Sequence, residues 1–289
     1  MDTTFFIHLA NGLAIGSSYV LIALGFTLIF GILDIIQLAH GEIYMLGAYC
    51  TYFLLELTGM GFFSALVVSA FVLAAVGLLL ERILFRPLRM VPLLNLLLIT
   101  IGLSIFLMNL ANLLWSPEQR TIPTPYMLQT LHFLGLAITV QRVLVVVVSI
   151  IVMIAVIFFI RRSRIGKAMR AVAQDKEGAA VAGININLVR YVTLAVGCGL
   201  ASVAGSLVGP IYLVEPTMGA TPVYKAFVIV ILGGMGSVGG SIVGGLLLGV
   251  IETLSAAYIS LALKDTVAFI LMVLILWVRP AGLFGKILE

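Results

Sequence analysis

The 289-residue chain is 62% apolar and only 10% charged, with a mean hydropathy of +1.25. A soluble domain carries about 25% charged residues, so a water-exposed globule is excluded and the chain belongs in a lipid bilayer. The net charge of +4 does not point to nucleic acid, because most cations stand beside the ends of apolar runs, where they encode topology.

Uncharged runs occupy 5–33, 57–80, 90–117, 143–160, 191–214 and 226–251. Most reach the roughly 18–20 residues that a spanning helix requires. They are continuous, without the short apolar–polar alternation of a membrane barrel. The class is therefore an all-α polytopic membrane protein, one transmembrane domain over 1–289.

The N-terminus, "MDTTFF", has no basic segment, and the first apolar run is too long for a leader core, so it is read as a retained helix. Polar side chains inside apolar runs are costly and usually face a bundle interior or cavity. Here they are Asn11, Ser17, Ser18, Tyr19 and Thr27. The connection to the next helix, "DIIQLAHGEIYMLGAY", adds Asp34, Gln37, His40, Glu42 and Tyr44. His40 and Glu42 either line a pathway or cap helix ends at the headgroup boundary, and Asp34 and Gln37 read as interfacial. Helices are expected at 38–57 and 60–81, followed by the basic stretch 82–89 with Arg82, Arg86 and Arg89.

Segment 91–115 then departs from that side and 142–160 returns. The external loop 116–141 between them holds three of the nine prolines. Next comes an island of charge at 161–187 in which Arg161, Arg162, Arg164, Lys167, Arg170 and Lys176 outnumber the acids. It resolves into two short helices. Ser163 caps 164–174, with Ile165, Met169 and Val172 on one side, and Asp175 caps 176–182. Gly183 is the C-terminal stop, and Asn187 is placed to cap the following membrane helix. The second helix presents Ala179, Ala180, Val181 and Ala182 as an apolar cap. Cations alone would suit anionic lipid headgroups; the capped, alanine-rich helix favours docking into a groove on a cytoplasmic partner.

Segments 188–211 and 262–278 flank a stretch, 222–260, that as one helix would run about 57 Å. It must break, and "GGMGSVGG" at 233–240 supplies the bend. Gly233, Gly234, Gly236, Gly239, Gly240 and Gly244 serve packing or a hinge, with Gly236, Gly240 and Gly244 on one face and Gly245 and Gly249 on a second. No Gly-Lys-Ser/Thr follows, so this is not a phosphate loop. Glu252, isolated among apolar residues, is either pathway lining or one half of a structural pair, with Lys225 as a partner. The basic tail carries Arg279 and Lys286. The count is about nine crossings (eight to ten), with the N-terminus outside and the C-terminus inside.

Cys50 and Cys198 read as small buried apolar residues. His8, His40 and His132 lack metal spacing, and no catalytic constellation is present. The chain is not read as an enzyme and holds no cofactor or metal of its own.

The blocks "GSSYVLIALGFTLIFGILDIIQLAHGEIYMLGAY", "ERILFRPLR", "TIGLSIFLMN", "SRIGKAMRAVAQDKEGAAVAGIN" and "VILGGMGSVGGSIVGGLLLGVIE" together resemble the LivH-type permeases of branched-chain amino acid ABC importers, from about residue 11 to 285. The resemblance implies the ABC importer permease fold in a bacterial cytoplasmic (inner) membrane. Expected partners are a second, LivM-type permease, two cytoplasmic LivG/LivF-type ATPases that bind ATP-Mg, and a periplasmic amino-acid-binding protein. It implies that the coupling loop 161–187 contacts an ATPase, through Arg164, Gly166, Lys167, Arg170, Asp175, Glu177, Ala179, Ala180 and Gly183. The Glu-Ala-Ala…Gly importer signature is matched loosely, by Glu177, Ala179, Ala180 and Gly183. Asn11, Ser17, Tyr19, His40, Glu42, Tyr44 and Glu252 are the expected pathway residues. Two other readings stand beside this one: the same architecture importing urea or short amides, and a self-sufficient channel or secondary transporter.

Overall fold

The computed structural model describes residues 3–89, 91–133 and 136–284; Lys286 lies outside them. α1 (Thr3–Leu33) is the axis of the bundle. Its 31 residues extend about 46 Å. Val20–Leu24 are fully buried, because α10, α8, α9 and α5 pack around the helix. Gly12 and Gly16 lie against the backbone of α10 near Gly249 and Gly245, and Gly25 lies against Gly197 of α8. Small residues let membrane helices approach closely where no hydrophobic drive exists between them.

α1 ends at Asp34, which adopts φ +57°. The chain then turns back into the bundle as extended backbone, and α2 (His40–Thr58) begins only at His40. The helix expected at 38–57 is thus present, starting two residues later. Backbone outside helices must be satisfied within the protein at this depth, and Thr100 of α4 (Leu93–Trp115) donates to the Ile36 carbonyl at 2.9 Å. α9 (Ala220–Gly233) is shorter than the others that could cross, about 21 Å long. Its start meets the start of α2 where Gly219 and Gly41 stand backbone to backbone. α2 runs from this meeting point towards Arg120, whereas α9 runs towards Asp34, so the two helices diverge.

α3 (Phe62–Leu80) continues through a π turn at Glu81–Phe85. A pair of short strands, Thr130–Phe133 and Leu136–Thr139, forms an antiparallel hairpin inside loop 116–141. It is the one departure from the all-α expectation among the described residues. α5 (Val140–Arg162) leads to the short helices α6 (Arg164–Gln174) and α7 (Lys176–Val181). α8 (Ile186–Val208) follows, and α10 (Val238–Tyr258) and α11 (Lys264–Val278) complete the chain. Seven helices are long and apolar enough to cross a membrane. With the less apolar α2 and the shorter α9 they make nine membrane-directed segments among the described residues. The break at 233–238 falls where the glycines predict it, with Gly234 at φ +97° and Gly236 at φ +81°.

α2, α3 and α8 are joined by a buried hydroxyl network. Ser69 and Ser202 share a hydrogen bond of 2.8 Å, as do Thr51 and Ser206 at 2.7 Å. Ser69 and Ser206 also donate to the Gly47 carbonyl, at 3.0 and 3.2 Å. Such bonds hold helices together where the alternative is an unsatisfied group in hydrocarbon.

At the Asp34 end, Glu81 is fully buried and takes a bidentate ion pair from Arg190 of α8, at 2.6 and 3.3 Å. Arg89 adds a third contact at 3.4 Å. The π turn leaves Glu81 facing α8. Removing one partner of a buried pair costs about 3–5 kcal/mol because the other charge is left uncompensated. Glu81→Ala is accordingly expected to lower the thermal midpoint of the purified protein sharply. A combined Glu81→Gln, Arg190→Met variant should recover most of the loss. Equal midpoints for Glu81→Ala and the parent protein would contradict this account of the pair.

Candidate functional site

The polar residues of α1 and α10 converge on a cavity of about 470 Å³ between α1, α9, α10, the 209–219 linker and the start of α11. Lys225 of α9 and Glu252 of α10 stand in its wall, 6% and 5% exposed. Lys225 Nζ lies 2.6 Å from Glu252 Oε1, 2.8 Å from the Tyr19 hydroxyl and 3.1 Å from Asp265 Oδ1. Tyr19 in turn donates to Glu252 Oε2 at 3.1 Å, and Lys264 Nζ stands 3.6 Å from Glu252 Oε1. Tyr44, Tyr212, Ile15, Val208, Ile211 and Met218 also line the space.

Of the residues the sequence marks for a pathway, Tyr19, Tyr44 and Glu252 thus share one cavity. The others go elsewhere. Asn11 accepts from Arg142 at 2.5 Å and ties α1 to α5. Ser17 donates to the Leu13 carbonyl of its own helix, and the neighbouring Ser18 faces the cavity instead. His40 is fully buried edge-on against Phe26, ring centroids 6.0 Å apart. It also lies against Gly25 of α1. Glu42 accepts from Ser104 of α4 at 2.7 Å and lies against Gly219, where the starts of α2 and α9 meet. Gln37, read as interfacial, is also fully buried. Asp34 does remain at the bundle end, paired with Lys176 of α7 at 2.5 Å.

Lys225 carries more of the site than a structural partner of Glu252 would. Lys264 and Asp265, which complete the cluster, drew no notice in the sequence. Their only sequence signal is an adjacent pair of opposite charges heading the last apolar run. Among the described residues no group of three His, Cys, Asp or Glu could hold a metal ion.

The second functional surface is the island. Gly166 N donates to Ser163 Oγ at 2.8 Å and Glu177 N to Asp175 Oδ1 at 3.0 Å, so both predicted caps form. α7 closes one residue earlier than expected, in a Schellman motif: Gly183 N donates to the Ala180 carbonyl and Ile184 N to the Ala179 carbonyl, each at 3.0 Å. Gly183 sits at φ +80°. That turn brings Asn185, and not Asn187, to cap α8 through Leu188 N at 3.1 Å.

Gly166 lies against the Phe159 and Ile160 carbonyls, and Arg170 donates to the Ile160 carbonyl, so α6 folds tightly back on α5. Met169 and Val172 face the bundle. Arg164, Lys167, Glu177, Ala180 and Ala182 stay accessible, and Val181 at the tip of α7 is 91% exposed. Ala179 departs from the predicted apolar cap. It is 5% exposed and turned inward.

The glycines divide by task. Gly233 and Gly240 pack backbone to backbone, and Gly244 meets Ile229 and Leu232 of α9. Gly245 and Gly249 face α1. Gly236 does not share the Gly240 face, because it precedes α10 and supplies the positive-φ turn beside Gly31. Gly239 faces open space.

Residues 8–276 match the family model described as the permease component of the branched-chain amino acid transport system. The chain belongs to this permease family. It is 38% identical to the high-affinity branched-chain amino acid transport system permease protein LivH of Escherichia coli K12, over 98% of this chain and 96% of that one. It is 39% identical to the permease protein BraD of Pseudomonas aeruginosa, over 96% and 95%. Salmonella typhimurium LivH is 36% identical over 98% and 96%. No solved structure matches. The relatives are transport permeases rather than enzymes, and this chain is a multi-pass membrane permease.

Proposed function

We propose that this permease forms half of the translocation pathway of an ATP-driven ABC importer for branched-chain amino acids in a bacterial inner membrane. Its partners are a LivM-type permease, two cytoplasmic ATPases that bind ATP-Mg and a periplasmic amino-acid-binding protein. The Asp34 end faces the cytoplasm. Lys and Arg of the 82–89 stretch, α6 and α7 gather there, as the positive-inside rule requires. α4 and α11 support a partnered assembly, since almost none of their spanning windows is buried within this chain.

The observation that carries the reading is the capped α6–α7 pair, rigid and apolar at its tip. Nucleotide shifts the two access states through the ATPases, because a ligand moves an equilibrium only by its unequal affinity for the states. Motion of α7 reaches the bundle through the Lys176–Asp34 pair and the Met169 and Val172 contacts of α6. Asp34 sits at the end of α1, the helix that also carries Tyr19 of the cavity.

A cysteine at Val181 should crosslink to an ATPase subunit when the complex is expressed whole. Cys50 is half-buried and Cys198 buried, so the parent protein gives the background. Crosslinking no greater than that background would remove α7 from the ATPase contact.

A further inference from the structure

Resting on the importer reading, we infer that the Lys225–Glu252 cluster is the permease's own transit site for the substrate, and that it selects zwitterions by exchanging ion pairs with them.

Two cations, Lys225 and Lys264, face two anions, Glu252 and Asp265, across distances of 2.6–3.6 Å. Their formal charges cancel. An α-amino acid is also neutral overall but carries one charge of each sign on adjacent groups. Its carboxylate takes the place of Glu252 on Lys225, and its ammonium takes the place of Lys225 on Glu252. No net charge enters or leaves the low-dielectric wall, and neither buried partner is left bare. A carboxylate or an amine alone would bring one uncompensated charge into that wall, which is strongly unfavourable. Urea and short amides have no charge with which to open the pair.

The surroundings fit the same ligand. The space of about 470 Å³ lies within the range of small-molecule pockets. Ile15, Val208, Ile211 and Met218 offer an apolar wall for a branched side chain. Asp265 and Lys264 are 48% and 35% exposed at their side chains, whereas Lys225 and Glu252 are 8% and 6% exposed. Lys264 is therefore the more accessible cation of the cavity lining, which also holds Glu215, while Lys225 and Glu252 lie deeper and Asp265 stands behind Lys225. A purely structural bridge has no need of a cavity beside it, and apolar residues would fill this position at lower cost.

The test uses the complete transporter in proteoliposomes, with Tyr212→Cys, a cavity-lining position, as a reporter labelled by a small thiol reagent. Millimolar leucine is expected to slow labelling severalfold. 3-Methylbutanoate, 3-methylbutylamine and urea at the same concentration should leave it unchanged. Lys225→Met combined with Glu252→Gln keeps the net charge of the wall, should still fold, and should abolish protection by leucine. In the Tyr212 parent it should cut uptake about tenfold or more, the scale set by losing a buried charge contact. Equal protection by the singly charged analogues or by urea, no protection by leucine, or protection that survives the double substitution would overturn the site. If the parent complex shows ATP-driven leucine uptake and the double variant matches it, the site fails while the importer reading stands. If the parent shows no uptake yet leucine protects, the importer reading fails and the site stands.

Discussion

Val181→Asp is expected to abolish leucine uptake while leaving the permease folded and inserted. The side chain is 91% exposed at the tip of a six-residue helix, so the change removes no internal contact. If α7 enters an apolar ATPase groove, the substitution loses about 1.5–3 kcal/mol of apolar burial. It also strands a carboxylate away from water, at a further cost of several kcal/mol. Either effect alone weakens the contact tenfold or more, by about 1.4 kcal/mol per decade. ATP hydrolysis by the complex should then no longer respond to the loaded binding protein. Were the island only a lipid-facing patch, one added acid among so many cations would leave uptake nearly intact.

The second large effect is expected at Gly205. A methyl group there would run into the Tyr44 carbonyl and the Ala48 nitrogen of α2. Backbone atoms cannot rotate away, so α8 and α2 must separate, and the Ser206–Thr51 and Ser202–Ser69 hydrogen bonds stretch with them. Gly239→Ala makes a matched comparison, because a side chain at Gly239 meets nothing within 4 Å. Both changes gain up to about 1 kcal/mol in helix propensity. Gly205→Ala should nevertheless lose about 1–3 kcal/mol to overpacking. Thermal midpoints of the purified variants should fall for Gly205→Ala and hold or rise for Gly239→Ala. Indistinguishable midpoints would contradict the close approach of α2 and α8.

Much of this was legible in the sequence because it depends on local chemistry. Uncharged runs located the spans, Gly234 and Gly236 marked the bend between α9 and α10, and Ser163, Asp175 and Gly183 each cap or stop the helix assigned to them. The break between the first two helices was expected, but what fixes residues 34–39 was hidden. Asp34, with no glycine or proline beside it, takes the positive-φ turn, and "DIIQLA" continues the apolar pattern of the helix before it. What holds that segment is Thr100, 64 positions away, which no local rule could supply. The cap expected at Asn187 falls on Asn185, because the Schellman turn at Gly183 starts α8 earlier. In the cavity, the isolated charges Lys225 and Glu252 were visible as a pair. Their joining to Tyr19 and Asp265 required four helices to be in place.

ATP dependence of leucine uptake is the measurement closest to the central claim. Proteoliposomes containing both permeases and both ATPases, supplied with the loaded binding protein, should accumulate leucine against its gradient only when ATP-Mg is present. Vesicles holding this chain alone should accumulate none. Uptake by the chain alone, or uptake by the complex without ATP, would show a self-sufficient transporter and contradict the account.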